Sequence, residues 1–216
     1  MISNIVELPS RIGYLQTKFN LSDLKPLIDE IKRISRSTAD VENMTWDLAG
    51  QIEKEFKLTD SVPFLQNLII PYLKEFDSKF RYMEEIAMLS EDCDLYLKRA
   101  WVNFQKKYEY NPVHKHNGVF SFVIWLNIPF TTDEELAVSP GKTSNNPYSS
   151  GEFCFYHTTG LGKIVPHRIV CDKSTEGTML VFPASLPHSV NPFFSNDQYR
   201  ITVSGNFFFK VGNKND

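Results

Sequence analysis

Apolar positions follow two different periods along the chain. In the first half, Leu24, Leu27, Ile28, Ile31 and Ile34 recur at helical spacing behind Ser22. This predicts a helix capped by Ser22, with Pro26 tolerated in its first turn. A second helix is predicted from Thr45, with Leu48, Ala49, Ile52 and Phe56 on one side. A third opens at Asp60 or Ser61, runs through Phe64, Leu65, Leu68 and Ile69, and is kinked or ended by Pro71. After about residue 93 the runs become short, aromatic and β-branched. Strands are predicted over 95–104, 113–116, 120–126, 152–156, 164–171, 178–182 and 199–209. Turn residues divide them, among them Asn111-Pro112, Asn117-Gly118, Gly160, Glu176-Gly177 and Asn191-Pro192. Strands at this spacing imply a sandwich or barrel flanked by helices. The expected fold class is mainly β with N-terminal helices, a helical region over 1–94 docking on a β core over 95–216. The long polar stretch 131–150 is a candidate lid over a binding site.

Composition narrows the class. The 216 residues are 42% hydrophobic and 23% charged, which fits a globular chain and excludes wholesale disorder. No apolar run approaches the ~20 residues of a membrane-spanning helix, and the N-terminus shows no secretory signal. A pI near 6.0 and a net charge of −3 argue against a general nucleic-acid binder. Cys93, Cys154 and Cys171 are odd in number and widely spaced, which suits a reducing compartment and a cytoplasmic location. Oligomeric state is not legible.

Candidate chemistry gathers in the second half, where all five histidines lie. In Val113-His114-Lys115-His116 both imidazoles share one face of a strand, as two adjacent ligands on a metal would. His188, after Phe182-Pro183-Ala184-Ser185-Leu186-Pro187, is a candidate third ligand. Three neutral nitrogens suit divalent iron, zinc or copper and leave coordination positions open. His157 and His167 lack a partner at ligand spacing. Gly141-Lys142-Thr143 lacks the earlier glycine and preceding strand of a phosphate-binding loop and is rejected. Arg200, Thr202 and Ser204 share strand parity, so a guanidinium and two hydroxyls line one surface. That surface suits a carboxylate, although Asp197 is a nearby alternative partner for Arg200.

In order and spacing, these segments resemble the 2-oxoglutarate/Fe(II)-dependent oxygenase superfamily, and in particular its small prolyl-hydroxylase-like bacterial and phage members. The resemblance rests on Asn111 to Gly118, Ser121 to Leu126, Phe182 to His188 and Arg200 to Asn206, and spans roughly residues 98–210. It implies a double-stranded β-helix, or jelly-roll, using Fe(II), 2-oxoglutarate and O2 to hydroxylate an unactivated C–H bond of a peptide, prolyl or small-molecule substrate. It further implies His114, His116 and His188 as iron ligands. By the same analogy Arg200, assisted by Thr202, holds the distal carboxylate of 2-oxoglutarate, and Asn103 bonds the other carboxylate.

One position departs from the superfamily. Its second ligand is usually Asp or Glu, whereas His116 stands here; Glu152 or Asp172 are alternative sources of a carboxylate. Two other classes compete. A cupin-like three-histidine protein would carry a glutamate soon after His-x-His, where Phe120 and Ser121 stand, and would leave Arg200 without a role. A non-catalytic β-sandwich module would make the histidines incidental.

Overall fold

In a computed structural model, the structure describes residues 3–8, 12–86, 93–138 and 150–210. Among the described residues, eleven strands form two antiparallel sheets. The larger contains β1 (Asn4–Leu8), β2 (Ile12–Lys18), β3 (Glu55–Lys57), β4 (Leu95–Gln105), β6 (Phe120–Asn127), β9 (Thr178–Pro183) and β11 (Arg200–Phe209), in the order β1-β2-β9-β6-β11-β4-β3. The smaller contains β5 (Asn111–His114), β7 (Phe153–Thr158), β8 (Ile164–Ile169) and β10 (His188–Val190), in the order β5-β10-β7-β8. The architecture is a double-stranded β-helix.

Strand alternation gives the large sheet two apolar faces. On β6, Phe120, Phe122 and Ile124 face the helices, whereas Val123 and Trp125 face the smaller sheet. The outer face is covered by α1 (Lys25–Arg36) and α2 (Val62–Phe80), which bury Leu27, Ile31, Ile34, Leu65, Ile69, Leu73 and Phe76. Between the sheets, Tyr14, Phe153, Phe155, Phe182 and Phe193 form a second, aromatic core.

Several elements depart from the periodicity reading. Ser22 lies inside a 3-10 turn, Leu21–Leu24, and no side chain caps α1. Pro71 does not end α2, which continues to Phe80. Each buried side chain of its apolar stripe contributes about 1.5–3 kcal/mol, together more than the ~3 kcal/mol an interior proline costs.

The expected helix from Thr45 is absent. Asn43 bridges Phe56, the Thr45 N–H bonds Asn43 Oδ1, and the chain turns back to form β3 against β4. Pairing with a sheet edge overrides a weak helical period there. β1, β2 and β10 are strands that the pattern did not predict. The proposed lid contains α4 (Thr132–Val138), while 139–149, including Gly141-Lys142-Thr143, lie outside the described residues. Among the described residues no helix is long and apolar enough to cross a membrane, and all three cysteines are free.

Candidate metal centre

The first histidine of the His-x-His segment ends β5 and the second lies two residues past the strand, so the pair does not share one strand face as expected. The backbone N–H of His116 donates to Ala184 O at 2.8 Å, tying this segment to the turn before β10. His188 opens β10 directly opposite His114 in the antiparallel register. Two strands and one turn therefore bring residues 72 apart in sequence together. The potential ligand atoms of His114, His116 and His188 all lie within 4.8 Å of one another, and His114 Nε2 is 3.1 Å from His116 Nε2. Two nitrogens bound at right angles to one metal, each ~2.1 Å away, stand about 3 Å apart, so the spacing fits an ion between them.

The other ring nitrogens are already engaged. His114 Nδ1 lies 2.7 Å from Pro112 O, and His188 Nδ1 2.8 Å from Leu186 O. A carbonyl only accepts, so each Nδ1 carries the proton and leaves Nε2 with a free lone pair. His116 Nδ1 is 3.0 Å from both Ser121 Oγ and Asn206 Oδ1, and Ser121 Oγ donates to Asn206 Oδ1 at 2.7 Å. Asn206 thus orients the third ring. Burial lowers the affinity of all three rings for a second proton: His116 falls to about 4 and His188 well below the ordinary histidine value. The rings are neutral near pH 7, as ligands must be. Phe153 stacks on His188 at 5.4 Å and Trp101 meets His116 edge-on at 5.6 Å, which holds the rings in place.

The triad borders a cavity of about 310 Å³ between the two sheets. Its floor is one face of the large sheet, where strand alternation aligns Trp101, Asn103 and Gln105 on β4 with Thr202, Ser204 and Asn206 on β11 and Val123 and Trp125 on β6. Asn103 Nδ2 donates to Thr202 Oγ1 at 3.1 Å. Asn103 and Thr202 thus share the cavity with the triad.

Arg200 lies one cross-strand step away, paired with Gln105, and does not line the cavity. It is fully buried, and its guanidinium donates to Gln105 Oε1 (3.1 and 2.6 Å), Gly151 O (2.5 Å) and Asn191 O (3.2 Å). Gly151 adopts φ +70°, and a Cβ there would come within 2.6 Å of Phe130, so glycine is required where this carbonyl turns toward the arginine. Asp197 is not its partner; it pairs with Lys107. No carboxylate lies within 4 Å of Arg200 among the described residues, and burial lowers its pKa to about 10.

Neither alternative carboxylate joins the triad. Asp172 caps the turn Lys173–Thr175 through Ser174 and accepts from Thr132 Oγ1. Glu152 lies 4.0 Å from Arg168. His167 bonds the Tyr14 hydroxyl at 3.0 Å, and His157 is buried outside the cluster. Phe120 and Phe207 belong to the helix-side core, whereas Trp125 lines the cavity. Glu55 and Asn111, which the sequence reading passed over, also line it.

Comparison with known proteins decides the family. A family model of 2OG-Fe(II) oxygenases matches residues 99–206, from β4 to the Asn206 that orients His116. The chain belongs to this family. Oxygenases of this family use Fe(II), 2-oxoglutarate and O2. No curated protein matches the oxygenase in sequence.

Among solved structures, a Pseudomonas putida prolyl-4-hydroxylase is similar, with TM-score 0.56 and 14% identity over 92% of this chain and 94% of that one. AviO1 from Streptomyces viridochromogenes has TM-score 0.53 and 13% identity over 94% and 92%. The viral collagen prolyl hydroxylase of Paramecium Bursaria Chlorella virus-1, in its 2-oxoglutarate complex, has TM-score 0.50 and 14% identity over 92% and 96%. At these identities the likeness establishes the double-stranded β-helix of the oxygenase, not its substrate.

Proposed function

We propose that this oxygenase is a hydroxylase that acts on a C–H bond of a peptide or small molecule, with His114, His116 and His188 holding the iron through Nε2. The observation that carries the reading is the convergence of three neutral imidazoles, each with Nδ1 engaged, on one cavity wall. When bound, Fe(II) with 2-oxoglutarate and O2 supplies oxidation of a C–H bond coupled to decarboxylation of 2-oxoglutarate to succinate. The residues position and shield. Asn103 and Thr202 offer polar contacts to the cosubstrate on the sheet face beside the triad. A buried guanidinium without a carboxylate partner is costly, and an anion at the Gln105 end of the cavity relieves that cost. Arg200 thus favours the distal carboxylate, either through Gln105 or by exchanging that contact. Trp101, Trp125, Phe153 and Phe182 exclude water from the reacting end of the cavity.

Three histidines leave one more positive charge than a triad with a carboxylate, which favours a dianionic cosubstrate. The test is anaerobic addition of Fe(II), then 2-oxoglutarate, to apo protein. A weak visible charge-transfer band is expected, requiring at least ~10-fold more 2-oxoglutarate in Arg200→Lys, which keeps the charge but loses the planar fork. Iron binding without the band in wild type would sink the cosubstrate assignment. Failure of wild type to bind iron would sink the triad.

A further inference from the structure

Glu55 lines the cavity but has no task in the chemistry above. It sits on β3 at the edge of the large sheet, paired with Asn103, which is paired in turn with Thr202. One row of side chains thus crosses the cavity floor toward Trp125. Glu55 is 1% exposed, and neither carboxylate oxygen has a hydrogen-bond partner. Burial, with Glu109 nearby, pushes its pKa up to about 7.

The neighbouring polar atoms are also acceptors left bare. Asn103 Oδ1 and Asn111 Oδ1 are buried and unpartnered; one N–H of the Asn103 amide goes to Thr202 and its second remains for the cosubstrate. A Cβ on Gly50 would stand 2.7 Å from Asn111 Oδ1 and 3.0 and 3.3 Å from the two Glu55 oxygens. The Glu55 and Asn111 acceptors therefore crowd one spot, which glycine leaves clear, and Asn103 stands beside Glu55 across the β3–β4 pair. Unpartnered buried acceptors are rare in folded proteins, and several converging on one cavity wall call for a ligand that brings donors. 2-Oxoglutarate and succinate are anions without N–H groups and would be repelled by a carboxylate, so the donors must belong to the substrate being oxidised. An ammonium brings three N–H donors and a guanidinium five, each with compensating charge.

We propose that Glu55, flanked by Asn103 and Asn111, binds the cationic nitrogen of a basic amino-acid side chain, free or within a peptide, and so selects the substrate brought to the three-histidine site. The proposal rests on the oxygenase reading, and its test separates the two. In wild type, the Fe(II)–2-oxoglutarate band checks the oxygenase reading without reference to Glu55. The substrate subsite is checked on metal-free protein at pH 8, by the shift in melting temperature with L-lysine, L-arginine and the tripeptides Gly-Lys-Gly and Gly-Arg-Gly. Norleucine and citrulline are the uncharged controls.

At least one cationic probe should raise the melting temperature of wild type by about 2 °C or more beyond its control. The shift should vanish in Glu55→Gln, which is nearly isosteric and whose own melting curve reports that it folds. A response to free amino acids marks a small-molecule substrate, and a response to tripeptides alone marks a peptide; either supports the subsite. Equal response to charged and uncharged probes, no response, or a preference surviving in Glu55→Gln overturns it. So does a Glu55→Gln variant that binds the cationic probes normally but loses 2-oxoglutarate, because Glu55 would then be a protonated donor to the cosubstrate.

Discussion

A histidine can serve as a ligand only when its ring presents the right nitrogen, and at the proposed metal site backbone carbonyls engage Nδ1 of His114 and His188 and leave Nε2 free. His116 instead depends on the Ser121–Asn206 pair. Asn206→Ala is therefore expected to weaken metal binding about 10–100-fold without loss of fold, as removal of an orienting partner generally does. Calorimetry with Co(II) and circular dichroism check the two halves of that statement.

Glu55 gives a second residue-scale prediction, this one in stability. Its pKa of about 7 exceeds the ~4.3 of a free glutamate, so between these values the folded chain holds a proton that the unfolded chain has released. The stability this proton confers falls as pH rises through that window and is gone above pH 7. Glu55→Gln should accordingly be more stable than wild type at pH 8, by on the order of 1–3 kcal/mol, and equal to it at pH 4. Urea unfolding at both values decides it, and equal stability at pH 8 would mean that the carboxylate has a partner after all.

The grouping of the three histidines was legible because a family-like order of motifs survives in the one-dimensional chain, although His116 lies past the end of β5 and not on the expected strand face. Glu55 was not, because the segment from Thr45 to Phe56 reads as a helix whose apolar side is Leu48, Ala49, Ile52 and Phe56, until β3 pairs with β4 far along the sequence.

At the scale of elements, legibility followed the length of the apolar pattern in the second half of the chain, whereas β1 and β2, of five and seven residues, were missed. The stripe of α1 and most long strands were readable; the three-residue strands β3 and β10 owe their existence to partners and carry too few positions to show a period. Pairing between elements was equally hidden. Glu30 on α1 is buried, and its carboxylate accepts from the N–H groups of Thr59, Asp60 and Ser61 at 2.8, 3.0 and 2.8 Å, and also from Ser61 Oγ. One helix thereby supplies the negative charge that the N-terminus of α2 lacks from its own first turn. Glu30→Ala leaves those buried donors unanswered and is expected to cost about 2–4 kcal/mol. An exposed pair such as Arg33–Asp60 should cost under ~1 kcal/mol when broken. Paired denaturation curves of Glu30→Ala and Arg33→Ala test the contrast; equal losses would contradict it.

For the whole molecule, the change of texture near residue 94 does not coincide with a boundary in the sheets. β1, β2 and β3 lie before it and extend both edges of the large sheet, while α1 and α2 cover its outer face. The family match begins only at residue 99, yet Leu48, Ala49, Ile52 and Glu55 wall the cavity from outside that match. The shared portion thus carries the proposed metal and cosubstrate chemistry, and the earlier segment supplies part of the cavity wall, including the proposed substrate contact Glu55. A fragment beginning at residue 95 would bare Val102, Phe104, Phe120, Phe122, Ile124 and Phe207 on the former helix side. Each such side chain forfeits roughly 1.5–3 kcal/mol on exposure, so six forfeit about as much as a whole domain's net stability of 5–15 kcal/mol. The fragment is therefore expected to show no cooperative thermal transition and no iron-dependent 2-oxoglutarate band, although it retains all three histidines. Calorimetry on the fragment checks this, and a sharp transition in it would show that the β core folds without the strands and helices that precede it.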